Sequence, residues 1–155
     1  MSVHYIPAGY HSVTPYLVID GAARAMDFYR DVFGAVEVMR MPGPDGKIGH
    51  AEMKIGDSHI MLADEHPEQG FRSPTSIGGT GVGVMLYVEN SDRCFDAAVK
   101  HGAKVVEPPQ DKFYGDRSAQ VIDPFGHFWT IATHVEDVAP DEMERRLKEM
   151  AGGSE

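Results

Sequence analysis

The stretch that decides the fold is Asp111–His134, DKFYGDRSAQVIDPFGHFWTIATH. At its centre, Asp123-Pro124-Phe125-Gly126 is a turn sequence. Proline fixes φ near the value the second position needs, and glycine accepts the positive φ often required at the fourth. Upstream of the turn, Arg117, Ala119 and Val121 alternate with Ser118, Gln120 and Ile122. Downstream, His127, Trp129 and Ile131 alternate with Phe128, Thr130 and Ala132. Period-two alternation on both sides of a turn predicts a β-hairpin. Just before it, Phe113-Tyr114-Gly115-Asp116-Arg117 packs two aromatics, a backbone pivot and a charge pair into five residues, a composition that suits a binding rim.

The same order of signals occurs twice. A strand is expected over Ser12–Ile19, lying near a sheet edge or pairing only after Pro15, which has no N–H to donate. A helix follows from Asp20-Gly21 to about Phe33. Ala22, Ala25, Met26, Tyr29 and Phe33 recur at the spacing of a buried face, and Gly34 is the stop. Ala35–Met41 reads as a strand, Pro42–Gly46 as a loop, and Lys47–Ile55 with Ser58–Ala63 as a hairpin around Gly56-Asp57. After a polar stretch, Val82–Val88 is a strand and Ser91 a helix N-cap. Phe95, Ala98 and Val99 give that helix its apolar face, and Gly102 ends it. Lys104–Glu107 is a strand broken by Pro108-Pro109, and the hairpin quoted above closes the unit. LVIDGAARAMDFYRDVFGAVEV thus faces LYVENSDRCFDAAVKHGAKVVE at a repeat distance of about 70 residues.

The expected fold class is α+β, two tandem β-α-β-β-β modules (about 12–66 and 82–135) giving an eight-stranded mixed sheet. Each is too short to bury a core alone, so the pair is expected to form one domain over 1–137. Residues 64–81, with Pro67, Gly70, Pro74 and Gly78-Gly79-Thr80-Gly81, read as a linker. Residues 138–155 read as an acidic helical tail whose Met143, Leu147 and Met150 suit docking on the domain or on a partner subunit.

The chain has 155 residues, is 42% hydrophobic and carries a formal charge of −10. That charge argues against nucleic acid or an anionic membrane as partner. No apolar run approaches the roughly 18 to 20 residues needed to span a bilayer. Cys94 is the single cysteine, so a reducing cytoplasm is the expected compartment. The N-terminus lacks the basic head and apolar middle of a signal peptide.

Three separated motifs, TPYLVIDGAARAMDFYRDVFGA, DKFYGDR and DPFGHFWTIATHVED, resemble the vicinal oxygen chelate superfamily, which includes glyoxalase I, bleomycin-resistance proteins and extradiol dioxygenases. The likeness covers about residues 12–137 and is nearest the PhnB-type branch. It implies a cupped cavity, often built or completed in a homodimer. It also implies a divalent metal held by inward His or Glu side chains on the first, fourth, fifth and eighth strands, with open positions for vicinal substrate oxygens. Carried over position by position, those ligands fall on Thr14, near Ile60, near Val84 and on Thr130. None is an ordinary metal ligand, and a slip of one residue recovers only His59. The usual tetrad is therefore expected to be missing, with no cofactor and a small organic ligand in the cup. The alternative is a metal-dependent lyase, isomerase or dioxygenase with a displaced site drawn from His50, Glu52 and His59. A third possibility is a structural or regulatory dimer whose cavity is filled by Tyr16, Met61, Met85 and Trp129.

The remaining polar and aromatic residues give the ligand-binding candidates: Thr14, Tyr16, His50, Glu52, Tyr114, Arg117, Trp129 and Thr130. His50 alternates with Glu52 on one strand face, and the repeat sets His50 against Arg117. Imidazole and guanidinium would present donors to an anionic or carbonyl-bearing ligand; alternatively, Arg117 pairs with Asp116 or Asp111 and braces its own loop. Trp129, Tyr114 and Phe113 would pack a flat ligand or the core. There is no nucleophile motif, and the only glycine cluster lacks the lysine of a phosphate-binding loop.

Overall fold

The structure, a computed structural model, describes residues 2–153. The chain forms two compact units, Met1–Val82 with Asp123–His127, and Gly83–Ile122 with Phe128–Glu155.

The first unit contains β1 (Tyr16–Ile19), α1 (Ala22–Phe33), β2 (Val36–Pro42), β3 (Ile48–Ile55), β4 (Ser58–Asp64), a 3-10 turn at Pro67–Gln69 and the single-turn helix α2 (Pro74–Ile77). Its mixed sheet has the order β1-β4-β3-β2, with β1 parallel to β4 and the other pairs antiparallel. The strand expected over Ser12–Ile19 is shorter, because pairing starts just after Pro15, on an edge of the sheet.

Helix α1 buries Ala22, Ala25, Met26, Tyr29, Val32 and Phe33 against one face of this sheet. That face supplies Leu17, Ile19, Ala51, Met53, Ile60 and Leu62, all 5% exposed or less. The N-terminus of α1 has no cap of its own. Asp64, at the end of β4, accepts from the N–H groups of Gly21 and Ala22 at 2.9 and 3.0 Å, and its other oxygen accepts from Ile48 N at 2.7 Å. One buried carboxylate therefore sets both the start of α1 and the start of β3. Tyr29 donates to Asp123 Oδ2 at 2.6 Å, while Asp123 Oδ1 accepts from Phe125 N and His127 N. The turn at the heart of the deciding stretch is thus pinned to α1.

Residues 64–81 are not a free linker. Glu65 Oε2 accepts from Ser73 Oγ at 2.8 Å and from Ser76 Oγ at 2.6 Å, and Ser73 is fully buried. Those hydroxyls hold the Glu65 carboxyl below its ordinary range. Gly78, read as part of that linker, closes α2 with φ of 86°.

The second unit contains β5 (Gly83–Tyr87), α3 (Ser91–Lys100), β6 (Lys104–Asp111), β7 (Asp116–Ile122), β8 (Phe128–His134) and α4 (Pro140–Gly152). Its sheet repeats the first in topology, with order β5-β8-β7-β6. Asn90 caps α3 by accepting from Arg93 N at 3.0 Å, in place of the expected Ser91, whose N–H is taken by Thr133 Oγ1. Strand β6 continues through Pro108-Pro109 to Asp111, against the expected break. It is an edge strand, and the prolines sit where its register shifts between Glu107 and Gln110. The tail helix is anchored by Arg146, which donates to Phe113 O at 3.0 Å and to Glu136 Oε1 at 2.7 Å. Its Leu147 and Met150 stay exposed.

Candidate functional site

Strand alternation in the first unit leaves Tyr16, Glu52 and Met61 on the face opposite α1. Tyr16 pairs with Met61 across β1–β4, and Met61 pairs with Glu52 across β3–β4. His50 lies two residues before Glu52 on the same face. Here four side chains join in one chain of hydrogen bonds. Tyr10 donates to Glu52 Oε1, Glu52 Oε2 lies 2.8 Å from His50 Nε2, and His50 Nδ1 lies 2.9 Å from Tyr16 Oη. A carboxylate only accepts, so Nε2 carries a hydrogen, and in the neutral ring Nδ1 is left to accept from Tyr16. Glu52 and His50 side chains are 18% and 25% exposed, whereas Tyr16 as a residue is 42% exposed. Partial burial raises the Tyr16 phenol above its ordinary value.

The segment ahead of β1 covers part of this face. A turn closed by Tyr10 N to Pro7 O, with Gly9 at φ of 84°, aims Tyr10 inward. Its ring stacks on His59, centroids 4.1 Å apart, and His59 Nδ1 is buried without a hydrogen-bond partner. Beside this stack lies a cleft of about 290 Å³, lined by Tyr5, Ile6, Pro7, Tyr10, His11, Ser12, Thr14 and Met61. That volume is at the lower end of the usual range for small-molecule sites. Phe71 meets the Tyr16 ring edge-on, centroids 5.9 Å apart.

Tyr16, His50 and Glu52 are therefore brought together, and Thr14 lies in the cleft that Tyr10 and Met61 also line. Tyr10 was not among the sequence candidates, and His59 was one only as a fallback metal ligand, not as a partner for an aromatic ring. Tyr10 bonds a residue 42 positions away, and no local pattern signals that.

The second-unit candidates fall elsewhere. Setting His50 against Arg117 is off by one residue: Glu52 pairs with Met61 as Gln120 pairs with Thr130, so Ser118 is the counterpart of His50. A slip of one sends every side chain to the other face. Arg117 accordingly turns toward α3, donating to both oxygens of Asp92 at 2.7 and 2.9 Å and to Asp111 at 3.2 Å. These carboxylates lift its pKa above the ordinary value. The bracing alternative describes Arg117, through Asp111 and Asp92. Trp129 is fully buried and pairs with Val84 and Val121, so it belongs to the core of this unit and offers no surface to a ligand. Tyr114 packs edge-on against Phe113 in the loop before β7. Thr130 is half-buried on the face that also carries Met85 and Gln120.

His134 faces a carboxylate on each side, Nδ1 2.8 Å from Asp116 and Nε2 2.7 Å from Asp137, to which only the imidazole can donate, and these carboxylates raise its pKa. Burial pushes the Cys94 thiol up to about 11, so it is no nucleophile at neutral pH.

A family model described as the Glyoxalase/Bleomycin resistance protein/Dioxygenase superfamily matches residues 9–131. The chain belongs to this superfamily. It is also 42% identical, over 156 aligned positions, to uncharacterized protein Mb0911c of Mycobacterium bovis, covering 99% of this chain and 100% of that one. Among solved structures it is similar to TioX from Micromonospora sp. ML1, with 27% identity, a TM-score of 0.62 and coverage of 83% and 100%. It shares its fold with a PhnB protein from Bacillus cereus, with 16% identity, a TM-score of 0.61 and coverage of 79% and 99%.

Superfamily enzymes imply a chelated divalent ion, and the donors here do not fit one. In the first unit the open-face positions are Thr14 with His59 or Met61; Ile60, the expected position, is buried on the α1 side. In the second they are Met85 and Thr130, because Val84 pairs with the core residue Trp129. Hydroxyls, thioethers and one imidazole are a poor set for such an ion. The fallback trio fares no better: both His50 nitrogens and both Glu52 oxygens already hold hydrogen bonds. Among the described residues no group of three or more His, Cys, Asp or Glu could hold a metal ion. Nor is any described helix long and apolar enough to cross a membrane.

Proposed function

We propose that this superfamily member binds a small organic molecule on the open face of its first unit, with no resident metal. One observation carries the reading: the face already holds an aromatic ring as it would hold a ligand. Tyr10 lies flat on His59 with its hydroxyl on Glu52, and a cleft opens beside it. A flat ligand with one hydrogen-bonding substituent matches those contacts, and the unpartnered His59 nitrogen is free to take another. Thr14, Met61 and Tyr10 line the cleft; Tyr10 also starts the polar chain that ends at Tyr16, and Tyr16 pairs with Met61 across β1–β4. A homodimer in the cytoplasm belongs to the same reading. The exposed Val36, Val38 and Met41 on edge strand β2 support the dimer.

The test is Tyr10→Ala, which removes the resident ring and its contacts with Glu52 and His59 but changes no strand residue. Binding of the aromatic fluorophore 1-anilinonaphthalene-8-sulfonate, followed by its emission, is expected to tighten by about tenfold, or about 1.4 kcal/mol. Absence of binding in both proteins, or equal weak binding that survives in a double variant with Glu52→Ala and His59→Ala, would count against the site.

A further inference from the structure

We propose that Tyr16, His50 and Glu52 form a proton-accepting relay for a weakly acidic hydroxyl, enol or phenol, on the ligand; this rests on the binding reading above. The order of the groups sets the direction. Glu52 takes the Nε2 hydrogen of His50 at 2.8 Å, which leaves the Nδ1 lone pair facing Tyr16 Oη at 2.9 Å. Tyr16 then points its only hydrogen at His50. Among the described residues no donor reaches its oxygen, and the residue is half-exposed.

A ligand hydroxyl that docks there donates to Tyr16 Oη. As the ligand O–H bond breaks, its proton joins the Tyr16 oxygen, and the proton already on Tyr16 passes to His50 Nδ1. The ligand is left as an oxyanion and His50 as an imidazolium beside the Glu52 carboxylate. Charge is conserved and no oxidant or reductant is needed. Tyr16 is the residue that touches the ligand; His50 and Glu52 act through it.

The fold itself does not demand this arrangement. The matching positions of the second unit, on strands of the same topology and register, are Met85, Ser118 and Gln120. A sheet of the same topology is thus built there with no ionisable group at those three positions, which separates the relay from what the β-α-β-β-β module needs for folding. Proximity alone does not account for it either, since the imidazole spends both nitrogens on the line from carboxylate to phenol.

The experiment uses 4-nitrophenol, whose absorbance distinguishes phenol from phenolate, added to the full chain at a pH below its own pKa. On the wild-type protein and on Tyr10→Ala, the bound probe is expected to ionise with an apparent pKa about one unit below its free value, a tenfold shift in the equilibrium. Tyr16→Phe and His50→Gln should bind the probe in its neutral form. Glu52→Gln should bind it with the shift reduced or gone. Circular dichroism melts on each variant confirm that the fold is intact. A bound probe that stays neutral on the wild type, or that ionises equally on all variants, overturns the relay and leaves the binding reading standing. If neither 4-nitrophenol nor the fluorophore binds wild type or Tyr10→Ala, both fall together.

Discussion

Asp64→Ala is the perturbation with the clearest consequence for the scaffold. The Asp64 carboxylate is 6% exposed and accepts three backbone N–H groups: Gly21 and Ala22 on Oδ1, Ile48 on Oδ2. Each buried N–H stripped of its partner costs about 1–3 kcal/mol. Three would sum to about 3–9 kcal/mol, reduced where water enters the space the carboxylate leaves. A loss of about 3–5 kcal/mol is expected, against a total stability of order 5–15 kcal/mol for a domain. Asp64→Asn keeps one oxygen, enough for the Gly21–Ala22 pair, but turns an NH₂ toward Ile48 N. It should lose about half as much and remains measurable if the alanine variant does not fold. Urea unfolding at neutral pH, read by circular dichroism, supplies both values. A loss below about 1 kcal/mol for Asp64→Ala would refute the claim that one side chain starts both α1 and β3.

Two further outcomes follow from the second unit. The folded-state pKa of His134 is raised by Asp137 and Asp116. Its contribution is therefore fully present below the unfolded value of about 6.5 and is lost as pH rises through the folded value. Comparing melting temperatures of wild type and His134→Gln from about pH 5.5 to 9 should show the gap narrowing upward; a constant or widening gap would contradict the pairing. Gly115 has φ of 103°, and a Cβ there would stand 2.1 Å from Glu136 O, whose own N–H and that of Val135 both bond Gly115 O. Gly115→Ala should cost more than about 2 kcal/mol, while Gly46→Ala, at φ of 79° in open space, should cost only about 1 kcal/mol. Thermal melts decide it, and equal losses would show that the close approach to Glu136 adds nothing.

What the sequence made legible was whatever local chemistry encodes. The spacing of Ala22, Ala25, Met26 and Tyr29 marks α1, and Asp123-Pro124-Phe125-Gly126 marks the β7–β8 turn. The doubled order of elements identified the α+β class and the superfamily, which the family match and the two four-stranded sheets bear out. What it concealed depends on register and on distance. Alternation places Arg117 in a strand but leaves open which face it takes, and one residue separates a cleft position from the Asp92 ion pair. Ile60 and Val84 were misplaced for the same reason. Trp129 gave an ambiguous signal because an indole suits a core as well as a rim. Polar composition made residues 64–81 look loose, yet Glu65, Ser73 and Ser76 bond one another there. Within the first-unit site, His50 and Glu52 could be read from their spacing. Their junction with Tyr16 and Tyr10 needed the fold.

The most direct check on the central claim is an NMR map of amide and imidazole shifts as 4-nitrophenol is added to the isotope-labelled protein. The account predicts saturable changes concentrated at Tyr10, Thr14, Tyr16, His50, Glu52, His59 and Met61. Changes confined to the second unit, or none at millimolar probe, would contradict it.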